Sequence, residues 1–96
     1  MVAVIATFTV AEGEVEAFET VARALIGEVR ANEPGVTLYR LTRAKENPHV
    51  FKSMELYATK EDLKAHGNTA YFRAAFSAMK PLLAAEPVIE VLDEVA

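Results

Sequence analysis

The chain contains no cysteine. That excludes disulfides, iron–sulfur clusters and thiolate zinc sites, and it fits a reducing, cytoplasmic setting. Glycine is scarce, and Gly13, Gly27, Gly35 and Gly67 form no loop that could cradle a phosphate. No segment approaches the roughly 20 apolar residues that span a bilayer. Basic residues are the minority, ten against fourteen acidic, for a net charge of −4. An acidic chain with no basic cluster along its sequence argues against nucleic acid or anionic membrane as a partner. Serine/glycine linkers, low-complexity tracts and internal repeats are missing as well.

What remains is an ordinary globular composition. The chain has 96 residues, 52% hydrophobic and 25% charged, so it is read as one domain over residues 1–96. The apolar start, Met1 to Val10, lacks a basic leader and a cleavage site, and it reads as a strand. Val2, Val4, Ala6, Phe8 and Val10 alternate with Ala3, Ile5, Thr7 and Thr9. Such a strand is covered on both faces.

From Glu14 to about Ala31 the period becomes helical, with Val15, Phe18, Val21, Ala22, Leu25, Ile26 and Val29 on one side. Asn32-Glu33-Pro34-Gly35 is a stop signal. Two strands follow, Val36–Arg43 and about His49–Ala58, joined by a turn at Asn47-Pro48. Thr59 opens a short helix to about His66 through a capping box that has Asp62 in place of Glu or Gln. Asn68 or Thr69 caps a longer helix with Phe72, Ala75, Phe76, Met79 and Leu83 turned inward, its last turn framed by Pro81. Pro87–Val95 reads as a fourth strand.

The order β-α-β-β-α-β predicts an α+β, ferredoxin-like fold: one antiparallel sheet with helices on one face. All four strands carry apolar residues at both parities. The second sheet face therefore needs its own cover, and a second copy of the sheet supplies it most economically, as a homodimer.

Catalytic candidates are few. His49 reads as a solvated turn residue. His66 ends a short helix at the junction before the last one, where the dipole favours histidine and where a pocket mouth between helices and sheet commonly lies. Tyr71 lies five residues on. A histidine and a phenol there are able to hold a polar aromatic ligand and move its proton. Glu55, mid-strand, reads first as the partner of Arg40, Arg43 or Lys52, since a buried carboxylate needs one. Failing the pair His66 and Tyr71, Glu55 and Tyr39 are the next candidates for the reacting site. Metal-ligand spacings and nucleophile elbows are lacking, so no metal is expected.

The motifs Gly35-x3-Tyr39-x-Leu41-x-Arg43, Pro48-x2-Phe51-x3-Glu55-x-Tyr57, His66-x2-Thr69-x-Tyr71-Phe72 and Pro81-Leu82-Leu83 occur here in one order. As a set they resemble the antibiotic biosynthesis monooxygenase (ABM) domain family, in particular its small quinol-monooxygenase-like members, over essentially the whole chain. Relatives often carry histidine where Tyr71 stands and tryptophan where Tyr57 stands. The resemblance implies a homodimeric α+β barrel with a pocket in each subunit. It also implies oxidation of a small phenolic, quinol or anthrone-like aromatic by O2 without cofactor. Within it His66 is the base or donor, Tyr71 and the more distant Tyr39 hold a ring oxygen, and Phe51, Phe72, Phe76 and Met79 form apolar walls, although core packing explains the same residues. Two rival readings are a non-catalytic ligand-binding or interaction module on the same dimer and a haem-degrading relative. The acidic charge and single well-placed histidine fit the latter poorly.

Overall fold

The computed structural model describes residues 1–96. β1 (Val2–Thr9) forms where β-branched and aromatic residues alternate, and it turns Val4, Ala6 and Phe8 into the core. The period then changes and α1 (Val15–Asn32) begins, with Phe18, Ala22, Leu25 and Val29 buried along one stripe. β2 (Val36–Arg43) and β3 (Val50–Tyr57) make the hairpin. α2 (Lys60–Gly67) and α3 (Ala70–Met79) follow. A 3₁₀ turn over Lys80–Leu82 carries Pro81 near its start, and β4 (Val88–Asp93) closes the order.

The sheet runs β2-β3-β1-β4, every pair antiparallel. This is the expected ferredoxin-like βαββαβ arrangement. Predicted element ends hold to within about two residues, except that α3 stops at Met79 and not near Leu83: Pro81 has no amide to continue the helix, so the chain passes through the 3₁₀ turn and Leu83 bridges to Val10. Of the two capping candidates before α3, Thr69 is the one used: its Oγ accepts from the Phe72 amide at 3.2 Å. Thr59 caps α2 through the Asp62 amide at 3.1 Å. His49 is half-buried rather than solvated.

The core lies between the sheet and the helix layer. Phe18 is fully buried, its ring 5.4 Å from that of Phe8 and 5.1 Å from that of Phe51. The far face of the sheet is different. In the pairing register, Ile5, Leu38, Met54, Leu56 and Leu92 have the parity that points away from the helices. Met54 keeps 46% of its surface exposed. No β4 residue is buried: Ile89 and Val91, whose parity faces the helices, are 50% and 60% exposed. No helix is long and apolar enough to cross a membrane.

Candidate active site

Local sequence brings three elements to one point. Pro34 and Gly35 end α1 directly after Glu33, the C-terminal cap residue, whose amide donates to the Val29 carbonyl at 2.9 Å. Gly35 allows the first turn of α2 to approach closely, since a Cβ there would collide with the Asp62 carboxylate. The Ala58 amide donates to the Gly35 carbonyl at 2.8 Å and ties the end of β3 to the same turn. About one turn further along α2, His66 arrives beside Glu33.

The His66 side chain is 3% exposed. Its Nδ1 lies 3.1 Å from both Glu33 carboxylate oxygens. A carboxylate only accepts, so Nδ1 carries the proton, and in the neutral ring Nε2 is left as the acceptor. Nε2 faces the Tyr39 hydroxyl at 3.4 Å, a long bond. The rings of Tyr39, Tyr57 and Phe72 surround the imidazole, with centroids 5.3, 5.5 and 4.7 Å away. The Tyr71 hydroxyl donates to Glu33 Oε2. Glu33, His66, Tyr39 and Tyr71 thus form one hydrogen-bonded chain.

A second buried carboxylate stands nearby. Glu55 Oε2 accepts from Ser53 Oγ at 2.6 Å, and Oε1 accepts from the Tyr57 hydroxyl at 2.5 Å. The ion pair expected with Arg40, Arg43 or Lys52 does not exist. Arg40 and Lys52 have the opposite sheet parity, and Arg43 is paired with Phe51, beyond reach along the strand. Two hydroxyls satisfy the carboxylate in their place.

Four of these residues, Tyr39, Ser53, Glu55 and His66, border one cavity of about 180 Å³ between the sheet and the helices. An apolar cavity of about 150 Å³ takes benzene, so this one suits a single substituted ring. Its wall is apolar apart from Tyr39, Ser53, Glu55 and His66, with Phe72, Phe76 and Met79 on the α3 side. His66 lines the cavity. Two expected site residues are off the wall. Tyr71 stands behind Glu33 and does not line the cavity. Phe51 is turned into the core against Phe18.

The phenols are held protonated. Burial first, then the charges of Glu55 and Glu33, push Tyr39 far above its ordinary value of 10.0. Burial, then the charge of Glu55 and the hydrogen bond to it, do the same to Tyr57. Tyr71 is pushed up to about 12 by burial and by its bond to Glu33. All three therefore act as donors. Inside the cavity the proton acceptors are His66 Nε2 and the Glu55 carboxylate. No group of three or more histidine or acidic side chains is arranged to hold a metal ion.

Glu33 was not among the residues singled out from sequence, where it belonged only to the stop signal. A carboxylate at a helix C-terminus faces the negative end of the dipole. That unfavourable placement is the signal that marks it, because it calls for a compensating partner.

An antiparallel ferredoxin-like sheet, a helix layer and a ring-sized cavity with an acid–imidazole pair at its polar end define a ferredoxin-like α+β domain with an internal cavity. The family model for antibiotic biosynthesis monooxygenase matches residues 1–78, and the chain belongs to that family. Among solved structures, a candidate antibiotic biosynthesis monooxygenase from Caulobacter crescentus CB15 is 47% identical, with 99% of this chain and 90% of that one covered at a TM-score of 0.96. PA3566 from Pseudomonas aeruginosa is 32% identical over 99% of this chain and 94% of its own, at a TM-score of 0.88. Rv0793 from Mycobacterium tuberculosis shares the fold at 23% identity, TM-score 0.92, with 99% and 95% covered. No curated protein matches the chain.

Proposed function

We propose that the protein is a cofactor-independent monooxygenase acting on a small phenolic or quinol-type aromatic with O2. The observation that carries this reading is the Glu33–His66 pair, with His66 lining a ring-sized apolar cavity and its Nε2 facing the Tyr39 hydroxyl on the same wall. A substrate hydroxyl displaces the weak Tyr39 contact and gives its proton to Nε2. The ring becomes a phenolate, a far better one-electron donor to O2. One oxygen atom then stays on the ring and the other leaves as water. Hydroquinone and O2 give hydroxyquinone and water, so the substrate supplies all the electrons. Glu33 balances the imidazolium, and the protonated Tyr39 donates to the developing oxyanion. Oxygen uptake with a panel of hydroquinones, in the presence of a metal chelator, tests the reading. Stoichiometric uptake with hydroxyquinone formed is expected. Binding without any uptake would leave a ligand-binding module in its place.

The working unit is a homodimer with its sheets packed face to face. The apolar outer parity of the sheet and the uncovered β4 support it. Sedimentation at micromolar concentration should give twice the 10.5 kDa chain mass. A monomer at that concentration would remove the barrel.

A further inference from the structure

Although no basic cluster is visible along the sequence, folding makes one. Arg23 and Arg30, two helical turns apart on α1, meet Arg40 and Arg43 of β2 in one open groove. These are four of the five arginines in a chain of net charge −4, and the groove has a single acid, Glu19. Arg23 is bound to Glu19 at 3.3 Å, and Arg30 donates to the Tyr39 carbonyl at 3.3 Å. Arg40 and Arg43 are exposed, and neither is a partner in any side-chain hydrogen bond or ion pair. The space above Gly27, on the α1 side, is open.

The groove adjoins the cavity. Ile26 and Leu41 line both and are only half-buried, so two apolar side chains separate them. The strand supplies a ruler. Tyr39, Leu41 and Arg43 share one face of β2, and four residues of strand span about 13 Å. The phenol end of the cavity lies at Tyr39, the partition at Leu41 and a free guanidinium at Arg43.

We propose that this groove is an anion subsite and that the ligand is a phenol carrying a carboxylate on a short alkyl chain. The ring occupies the cavity, the chain passes Ile26 and Leu41, and the carboxylate meets the Arg43 guanidinium in the fork geometry that such groups favour, while Arg40, of opposite parity on β2, adds its charge at the edge of the groove. The proposal rests on reading the cavity as a phenol site, and its test measures binding alone, so it does not depend on turnover.

Two probes suffice: a para-hydroxyphenyl alkanoate with a six-carbon chain, and para-hexylphenol, which matches it in shape and lacks the charge. Calorimetry at low salt should show the carboxylate binding about tenfold or more tightly than the alkylphenol. The advantage should shrink as salt is added and vanish in Arg43→Gln and in the Arg40→Gln/Arg43→Gln double variant. The alkylphenol, measured in the same variants, reports whether the cavity is intact. Equal affinity of the two probes for the unaltered protein overturns the subsite and leaves the phenol cavity standing. An anion preference that survives both variants also overturns it. Binding of neither probe overturns both readings together. Dissociation of a dimer in the arginine variants would show that the groove is an interface between copies, and it too would overturn the subsite.

Discussion

Replacing His66 by alanine should lower kcat on an oxygenated phenol by about 10²–10⁴-fold, the scale of a lost general base. The tautomer of the imidazole is set by a partner outside the cavity: Glu33 holds Nδ1–H, and Nε2 is left as the acceptor, facing the Tyr39 hydroxyl. Glu33→Gln should lower the rate as well, because an amide accepts through its oxygen but donates through its nitrogen, and the tautomer is no longer imposed. Groups that act as a unit are not additive. The double variant Glu33→Gln/His66→Ala should therefore be no slower than His66→Ala alone. A fully multiplicative loss would show that Glu33 acts independently of the imidazole. Tyr71→Phe removes one donor to Glu33 and keeps the ring, so its effect should be the smallest of the series. Unchanged turnover in both His66→Ala and Tyr71→Phe would move the reacting site to Glu55.

The fold was legible because periodicity is a local property. The alternation in Val2–Thr9 and the helical stripe Phe18, Ala22, Leu25, Val29 are each written in a single stretch of chain, and burial follows them residue by residue. The site was legible only in part. His66 stood out because histidine is rare here and this one lies at a helix junction. Its partner Glu33 is 33 residues away in sequence, and nothing local ties the two together. The misassigned partners of Glu55 have a similar cause. Parity alone places Lys52 on the other face from Glu55, but which β2 residue stands opposite Glu55 depends on the hairpin register, including the irregularity between Val36 and Leu38. Tyr39 is the residue opposite. Phe51 illustrates the limit for apolar residues, since a core phenylalanine and a cavity wall share one sequence pattern. The arginine groove is the same lesson in charge: residues spread over two elements make no run in the sequence and one patch in space.

Raising the pH above 10 should unfold the protein through its buried phenols. Tyr57 has no exposed surface, and Tyr39 is 8% exposed. Both have folded-state values raised far above the unfolded value of 10.0, through burial first and the charge of Glu55 second. The direction follows from proton counts. Below pH 10 both states hold the phenolic proton, and stability does not depend on these groups. Above it the unfolded chain releases protons that the folded chain keeps, so stability falls as pH rises. Each such tyrosine contributes a slope of about 1.4 kcal/mol per pH unit, or about 2.7 for the pair. A domain with a total stability of roughly 5–15 kcal/mol feels that within one or two units. Urea unfolding should thus give a plateau up to about pH 10 and a steep decline beyond it. Tyr57→Phe should start lower, because Glu55 loses a hydroxyl partner at a cost of about 1–3 kcal/mol, yet decline less steeply, because one titrating group is gone. Tyr39→Phe should flatten the decline with a smaller initial loss, since its only bond is the long one to His66. Unchanged stability across the unit above pH 10 would show that the phenols ionise freely in the folded chain. In that case Tyr39 would compete with His66 for the role of base. A decline of the expected slope keeps Tyr39 a donor at every working pH, and the proton of the substrate then passes to the imidazole.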